Sequence, residues 1–338
     1  MGFYAWTGNP FVDAGIAAIQ EWSNRSSPES VTLDDIKYIA SELPSLYTTD
    51  AWKKNLFSIF PNNPVTNPSV KDKGKRMKEL LDNLIVNIEQ LGTSGDCIAC
   101  GRRTVKSQKN RMHIPMTGYD GSHFFSFKTD GADYCDACTF AVQCSPLAFY
   151  ACGKLVLLHS NSYKVMRYWA KRCVAVVQKQ VASRNYTGCF NEKFTNPMNA
   201  LFHIIQDLIL SYEERWVEEN ATIRIYHFTN YLQSPELDMY NLPAPVFRFL
   251  VSMRHERYFG DWMSVVRRGY YFTKGGKEIS ISVGGKSEGD YKNSKNKVYQ
   301  NLLSGQSILG FFFNVRKKLG ICLASEVRRY QREGQARA

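Results

Sequence analysis

The sequence predicts an α+β protein: a mainly helical body with short antiparallel strands or hairpins and an inserted four-cysteine zinc-knuckle module. Three observations predict this class. Apolar residues recur at helical spacing behind Asn-Pro starts, segment 221–232 alternates strongly between polar and apolar residues, and two Cys-x-x-Cys pairs flank a long insert. The 338 residues exceed one compact core of ordinary size, so we expect several subdomains.

The N-terminal region, residues 1–95, is predicted to be helical. Asn9-Pro10 places a capping side chain before a proline at the first helical position, and the small residues that follow indicate close packing against a neighbour. Further helices are predicted to begin at Thr32, near Asp50 and at Asn67-Pro68.

A loop rich in proline and asparagine, residues 60–69, separates two of these helices. Ordinary turn chemistry explains such a composition. Amide side chains also pair with adenine edges in a nucleic-acid groove. Asn62 and Asn63 are therefore candidates for nucleic-acid contact, with plain turn formation as the alternative.

Two Cys-x-x-Cys knuckles define the next region, residues 96–145. Two thiolates at this spacing bind one side of a tetrahedral zinc ion, and a second pair completes a closed site. We predict structural Zn²⁺ as the cofactor, with Gly101 giving the backbone room to turn back toward the metal. Buried thiols without a metal are one alternative, and a mixed site that uses Cys144, His113 or His123 is another. The predicted ligands are Cys97, Cys100, Cys135 and Cys138.

The insert between the knuckles begins with a basic stretch. Residues 102–111 contain five Lys or Arg side chains and no acidic one. A basic loop that a metal centre holds in place can contact phosphates, whereas structural zinc with no contact role is the alternative. The candidates for phosphate contact are Arg102, Arg103 and Lys106.

Residues 146–247 are predicted to form a helical core with a strand hairpin. A helix over 162–183 has an apolar side and, opposite to it, five Lys or Arg residues. The alternating segment 221–232 predicts a strand, and residues 236–243 can return as its hairpin partner. Further candidates for nucleic-acid contact here are Asn230 and Gln233.

The C-terminal region, residues 248–338, carries most of the net charge of +12. It holds 18 Lys and Arg against 7 Asp and Glu, whereas residues 1–247 hold 25 against 24. Clustered cations displace counterions from phosphates, so a polyanion partner is predicted, with a solvated basic face as the alternative. A hairpin with a Gly275-Gly276 turn and a lysine-rich loop interleave basic and aromatic residues, which suits base stacking. The candidate lysines are Lys274, Lys277, Lys286, Lys292, Lys295 and Lys297.

The sequence contains no convincing catalytic set, so a non-enzymatic protein is predicted. HExxH and carboxylate clusters with two-metal spacing are missing. One enzyme-like feature is the Arg-x6-His spacing from Arg248 to His255, which occurs in some metal-independent ribonucleases. The alternative function is therefore a free-standing zinc-containing nucleic-acid-binding protein or ribonuclease.

Hydrophobicity and cysteine content predict the location. No apolar run approaches the ~20 residues of a membrane span, and the sequence shows no secretory signal. Nine cysteines without an export signal indicate a reducing compartment. We expect a cytoplasmic protein without membrane association, whose cysteines outside the knuckles are packed thiols.

Several of these segments together resemble one family. WTGNPFVDAG near the N-terminus, the two knuckles, and IYHFTN with the following LDMYNLP are similar to the CRISPR-associated CXXC–CXXC protein. That family supplies the large subunit of some type I-B Cascade effector complexes. The C-terminal quarter resembles it less, and the chain is shorter than the members we would expect.

The resemblance implies a non-catalytic role in antiviral defense. In Cascade, guide RNA pairing reads the target, while the large subunit recognises a short flanking motif (the PAM) in duplex DNA and aids strand opening, or R-loop formation. The implied partners are guide RNA, target double-stranded DNA and the Cascade backbone subunits of the ribonucleoprotein complex. The short length suggests a transposon-linked system in which a small helical subunit and a transposition adaptor also bind.

Overall fold

A computed structural model describes residues 2–90, 92–116, 131–191, 194, 196–211, 221–230, 235–281 and 294–313. Helices dominate these residues, and the strands are short, with antiparallel pairing in their hairpins. This architecture confirms the predicted α+β class. Within the described ranges, no helix combines the length and hydrophobicity that a membrane-spanning segment needs.

Residue contacts divide the chain into two compact units. Unit 1 comprises Met1–His159, Tyr163–Asn191 and Tyr226–Asp238, and unit 2 comprises Ser160–Ser162, Glu192–Ile225 and Met239–Ala338. The predicted regions 1–95 and 96–145 both lie in unit 1, region 248–338 lies in unit 2, and region 146–247 contributes to both. The knuckle insert therefore shares one unit with the N-terminal helices.

The helices of unit 1 follow the predicted order. They are α1 Pro10–Trp22, α2 Leu33–Tyr47, α3 Asp50–Phe57, α4 Lys73–Glu89, α5 Asp136–Cys144 and α6 Tyr163–Ser183. The predicted starts of the first three are confirmed. The helix expected from Asn67-Pro68 begins later, at Lys73, because Asn67 instead closes a turn in which its Oδ1 accepts from Ser69 N at 2.9 Å.

The polar residues of the N-terminal motif fix the start of α1. Asn9 Oδ1 accepts two backbone N–H groups of the first turn, each at 3.2 Å. Buried Asp13 accepts from Thr7 N and Thr7 Oγ1 at 2.8 Å and from Gly8 N at 3.0 Å. His159 Nε2 lies 3.1 Å from Asp13 Oδ2. These bonds hold the preceding loop against the helix and give Asp13 a structural role.

Helix α1 packs unusually close to α5, the helix that follows the second knuckle. A Cβ atom added at Gly15 would lie 1.7 Å from the carbonyl oxygen of Ala141 and 2.4 Å from its carbonyl carbon. Only a residue without a side chain permits this separation of the two backbones. Gly15, one of the small residues that predicted close packing of α1, thus faces the helix that follows the second knuckle.

An aromatic cluster joins α1 to the strands of unit 1. The ring of Phe11 lies edge-on to Phe149 and Phe228, with centroid distances of 6.2 and 5.3 Å, and Phe149 and Phe228 are 5.7 Å apart. Edge-to-face pairs at this spacing add to the gain from burial. The core of unit 1 is therefore continuous from the N-terminal helix to the sheet.

The larger sheet has the strand order β1-β2-β3-β4. Its strands are β1 Tyr150–Cys152, β2 Lys154–Ser160, β3 Ile223–Asn230 and β4 Pro235–Leu242. The predicted strand within 221–232 and its neighbour are both confirmed. His227 on β3 is buried, and its Nε2 lies 3.0 Å from the carbonyl oxygen of Cys152.

Unit 2 combines helices with a small three-stranded sheet of order β6-β5-β7. Its elements are α7 Pro197–Ser211, α8 Ala244–Met253, α9 Glu256–Arg268, β5 Tyr270–Lys274, β6 Lys277–Ser280, β7 Lys295–Asn296, α10 Lys297–Leu303 and α11 Leu309–Phe313. Phe202 stacks on Tyr299 with centroids 3.9 Å apart, and Phe249 meets Trp262 edge-on at 5.3 Å. Asn296 caps α10 and donates to Val266 O at 3.0 Å, which ties the sheet to α9.

The substitution Gly15→Ala should destabilise the protein by about 1–3 kcal/mol or more, because the new methyl group overlaps backbone atoms that cannot rotate away. Urea denaturation measures the change in the free energy of unfolding. Gly260→Ala, in α9, is the matched control, since its Cβ would meet no atom within 4 Å. The control should be neutral or gain up to about 1 kcal/mol. Equal stability of the two variants would contradict the close packing.

Candidate metal centre and nucleic-acid interface

The four knuckle cysteines converge in unit 1 as predicted. The sulfur atoms of Cys97, Cys100, Cys135 and Cys138 all lie within 4.8 Å of one another. Cys100 Sγ and Cys135 Sγ are 4.0 Å apart. A tetrahedral ion about 2.3 Å from each sulfur would separate the sulfurs by about 3.8 Å, so the cluster has the size that a metal site needs.

The mixed site is not supported. Neither Cys144 nor His113 belongs to the cluster of close ligand atoms, and His123 lies outside the described residues. Burial lowers the pKa of His113 to about 4 and raises the pKa of Cys144. The described donors that fit a metal ion are therefore the four knuckle sulfurs.

The backbone around each knuckle orients the sulfurs. Cys135 is the N-cap of α5, and its Sγ accepts from Cys138 N at 3.5 Å. Cys97 Sγ accepts from Cys135 N at 3.3 Å. Gly101 adopts φ +59°, and its N–H donates to Cys97 O at 2.8 Å, which closes the turn after the first knuckle. The predicted role of Gly101 in this turn is confirmed.

The cluster shares its protons unevenly. Hydrogen bonds with Cys135, Cys138 and Cys97 lower the pKa of Cys100 well below the usual range of a thiol. The bond with Cys100 in turn raises the pKa of Cys135 and of Cys138. The clustered sulfurs therefore compete for protons, and a bound cation would take the place of those protons.

The remaining described cysteines are packed thiols, as predicted. Cys144, Cys152, Cys173 and Cys189 are buried and form no disulfide. Burial raises the pKa of Cys152 to about 12 and raises those of Cys144 and Cys189 as well. Burial and a raised pKa disfavour the thiolate form of Cys144, Cys152 and Cys189, the form that binds metal ions. Cys322 lies outside the described residues.

A buried ion pair joins the insert to the second knuckle. Lys109 Nζ donates to Asp136 Oδ1 at 2.7 Å and to Ser107 Oγ at 3.1 Å. The side chains of Lys109 and Asp136 are only 5% and 0% exposed. The sequence analysis missed this pair; its signal is an acidic residue inside the apolar segment that carries the second knuckle. The pair fixes the insert against α5.

The N-terminal motif also contacts the knuckles directly. Asn9 Nδ2 donates to the hydroxyl of Tyr134, the residue before Cys135, at 2.8 Å. Arg103, just after the first knuckle, donates to Gly2 O at 3.0 Å. The N-terminal segment and the knuckles, two of the segments that suggested one family, therefore meet in unit 1.

Comparison with known proteins gives one match. Residues 90–150 match the family model of a CRISPR-associated protein, Cas_CXXC_CXXC. The matched segment holds both knuckles and the whole insert. No curated protein and no solved structure matches the chain. The match supports a CRISPR-associated CXXC–CXXC protein in this segment, which is 61 of 338 residues.

The basic stretch of the insert is largely used inside unit 1. Arg103 bonds to backbone carbonyls at the N-terminus, and Lys106 Nζ donates to Asn87 Oδ1 at 3.1 Å and to Gln90 Oε1 at 3.2 Å. Arg102 is half-buried. Most cations of this loop already form hydrogen bonds or ion pairs with other groups of unit 1. A phosphate would have to displace these partners before it could bind.

Two of the predicted amide contacts conflict with the structure. Asn63 is 2% exposed, and its Nδ2 donates to Gln143 Oε1 at 3.1 Å. Asn230 is 3% exposed, and its Nδ2 donates to Ile59 O at 2.9 Å. Both amides therefore stabilise the core of unit 1 and do not face a nucleic acid. Asn62 is half-buried, and Gln233 lies outside the described residues.

The predicted hairpin in unit 2 is confirmed and is exposed at its tip. Lys274 pairs with Lys277 across the Gly275-Gly276 turn, and both glycines have positive φ (+58° and +76°), as a two-residue hairpin turn requires. Phe272 pairs with Ile279, and these side chains are 41% and 40% exposed. Since side chains alternate along a strand, these four residues share one face.

The opposite face of the hairpin is anchored to α10. Tyr271 is buried, and its hydroxyl donates to Gln300 Oε1 at 3.0 Å. Lys297 Nζ lies 2.8 Å from Glu278 Oε2, so its charge is partly neutralised. Lys295 is exposed on β7, which pairs with β5. Two further candidates, Lys286 and Lys292, lie outside the described residues.

The two residues of the alternative ribonuclease site lie on α8 and at the start of α9. Arg248 is on that helix, and His255 is the N-cap of α9. His255 Nδ1 accepts from the backbone N–H of Arg257 at 3.3 Å. This bond gives His255 a capping role, and the described residues show no carboxylate oriented against its ring.

Replacing one knuckle cysteine should remove the metal ion. Cys135→Ala leaves three sulfur ligands and should lower both the metal content and the melting temperature. Elemental analysis of the purified full chain measures the metal. Cys144→Ala is the matched control because this buried thiol lies outside the cluster, so its metal content should be unchanged. Full retention of metal by Cys135→Ala would contradict the site.

Removing one partner of the buried ion pair should cost about 3–5 kcal/mol in the free energy of unfolding, since the other charge stays buried and unpaired. The variants are Lys109→Met, Asp136→Leu and the double substitution, measured by urea denaturation. The double variant should lose much less than the sum of the two. Lys78→Met, which removes the exposed pair with Asp82, should cost at most about 1 kcal/mol. Additive losses would show that the buried pair is uncoupled.

Proposed function

We propose that this protein is the non-catalytic large subunit of an RNA-guided CRISPR Cascade complex of type I-B. In this role it recognises the PAM in duplex DNA and aids strand opening while guide RNA pairing reads the target. The observation that carries the proposal is the match of residues 90–150 to a CRISPR-associated family. The guide RNA, the target DNA, the backbone subunits and, in a transposon-linked system, a small helical subunit and a transposition adaptor are the proposed partners.

The metal centre serves this function as a structural element. The four sulfurs are soft donors in a closed set, the combination that favours structural Zn²⁺ and leaves no ligand position for a substrate. When bound, the ion supplies folding free energy by joining the two ends of the insert. The cysteine thiolates hold it, while the backbone N–H groups of Cys135 and Cys138 orient two of the sulfurs.

The hairpin of unit 2 is the proposed DNA contact. Its tip combines two exposed lysines without any ion pair to a described residue, Lys274 and Lys277, with the exposed apolar pair Phe272 and Ile279. Lysines next to a flat apolar surface suit simultaneous contact with phosphates and with the face of a base. The anchored opposite face allows the hairpin to keep its shape when it meets the duplex.

The double variant Lys274→Ala/Lys277→Ala should bind duplex DNA more weakly whatever its sequence. Each lost phosphate contact should also reduce the slope of log K against log salt concentration by about 0.9. Fluorescence anisotropy with a labelled duplex at several salt concentrations measures both effects. The control is Lys53→Ala/Lys78→Ala, which removes two lysines paired with Asp50 and Asp82. Unchanged affinity and slope in the hairpin variant would exclude this hairpin as the DNA surface.

Co-purification tests the assembly itself. The full chain expressed with its neighbouring genes and a guide RNA should elute as one stable particle that does not cleave RNA. An active monomer that cleaves RNA, and loses this activity in His255→Ala, would contradict the proposal and support the ribonuclease alternative.

A further inference from the structure

Helix α6 of unit 1 lies in the middle of a long stretch without acidic residues. Residues 137–191 contain seven Lys or Arg and no Asp or Glu. With 31 acidic residues in 338, a stretch of this length would carry about five. Five of the seven cations lie on α6 itself. The charge asymmetry is therefore concentrated on one helix, in a unit whose sequence is otherwise close to neutral.

The cations of α6 differ according to the side on which they lie. Arg167, toward the body, forms an ion pair with Glu21, with Nε 2.8 Å from Oε1. Arg172 lies over the ring of Phe190, 5.3 Å from its centroid. Lys171 and Lys179, by contrast, are exposed and form no ion pair with any described residue. The inner cations are thus used in packing, and the outer ones present uncompensated charge to solvent.

The outer residues form one straight stripe. At 100° per residue, Lys164, Tyr168, Lys171 and Lys179 fall within about 80° of one another around the helix. Val165, Trp169 and the other buried residues lie on the opposite side. From the first to the last lysine the stripe is about 22 Å long at 1.5 Å per residue. This length suits a strand segment of a few nucleotides, near the lower end of single-strand site sizes.

An exposed aromatic ring lies beside this stripe. Tyr163 is 48% exposed, and Lys164 Nζ lies 5.9 Å from the centroid of its ring. An aromatic face next to lysines can stack on an unpaired base, whereas the bases of a duplex are already stacked. An acidic protein surface would use the lysines but would gain little from the ring. The combination favours a single strand over a duplex and over an acidic protein.

We propose that the outer stripe of α6, together with Tyr163, binds the sugar–phosphate backbone and unpaired bases of a single-stranded nucleic acid. This surface is in unit 1, on residues other than the hairpin proposed for duplex DNA. The proposal extends the proposed function by a second nucleic-acid surface and does not require the Cascade assignment.

The test compares Lys171→Ala/Lys179→Ala with Lys53→Ala/Lys78→Ala in the full chain. Labelled 20-nucleotide RNA, DNA single strands and DNA duplex of one sequence are titrated by anisotropy between 50 and 200 mM salt. Each phosphate contact to a single strand contributes about 0.7 to the slope of log K against log salt concentration. The loss of two contacts should therefore reduce this slope by about 1.4 and lower the affinity near 0.1 M salt roughly 25-fold. Duplex binding should change by less than about two-fold, and the paired-lysine control should retain both affinities. The RNA and DNA arms show which strand the stripe prefers.

A second variant tests the ring. Tyr163→Ala should weaken single-strand binding about five-fold or more, since stacking on one base contributes at least about that factor. Tyr38→Ala, which removes a 58% exposed tyrosine on α2, should have no effect. Both α6 variants replace exposed side chains, so unchanged thermal melts confirm that folding is retained.

Several results would overturn the proposal. The first is an unchanged salt slope for single strands in the lysine variant, and the second is a loss of duplex binding equal to the loss of single-strand binding. The third is displacement of the strand from the wild-type protein by polyglutamate at equal charge concentration, which would indicate an acidic protein partner. If the α6 variants have no effect while the hairpin variant weakens duplex binding, the α6 surface is wrong and the proposed function stands. If the wild-type chain binds no nucleic acid, both fail.

Discussion

The contact between Gly15 and the backbone of Ala141 joins helix α1 to helix α5 in unit 1. A Cβ atom at Gly15 would lie 1.7 Å from a carbonyl oxygen, so α1 and α5 are too close at this point for any side chain on residue 15. Since α5 begins at the second knuckle, the position of the metal centre depends on this crossing. The bond from Asn9 to Tyr134 acts at the same junction. The N-terminal motif and the knuckles are therefore one structural feature.

The four knuckle sulfurs and the buried pair Lys109–Asp136 lie at the same junction. Four sulfurs within 4.8 Å of one another bring together residues that are far apart in sequence, so an ion bound there would add its binding free energy to the stability of the folded state. The ion pair adds a hydrogen-bonded charge contact between the insert and α5. Both contacts join described residues of the insert to α5 or its start, which favours a structural role for this site.

Exposure, more than charge content, separates the candidate nucleic-acid residues. The cations at Arg103, Lys106 and Lys109 bond to groups of unit 1 and have little left for a ligand. At the hairpin tip, Lys274 and Lys277 form no ion pair with a described residue. The same holds for Lys171 and Lys179 on α6. A charge that is already paired gains little from a phosphate, because the existing partner must first be displaced. The surfaces proposed for nucleic acid are those where that cost is absent.

By itself, the sequence determined the α+β class, the helix starts at Asn9-Pro10 and Thr32, the Gly275-Gly276 hairpin and the four clustered cysteines. These follow from local rules of capping, alternation and ligand spacing. Only the tertiary structure decided that Asn63 and Asn230 are buried, that Lys109 pairs with Asp136, and that Arg167 on α6 pairs with Glu21. A side chain's partners come from distant segments, so neither its burial nor its free charge can be deduced from neighbouring residues in the sequence.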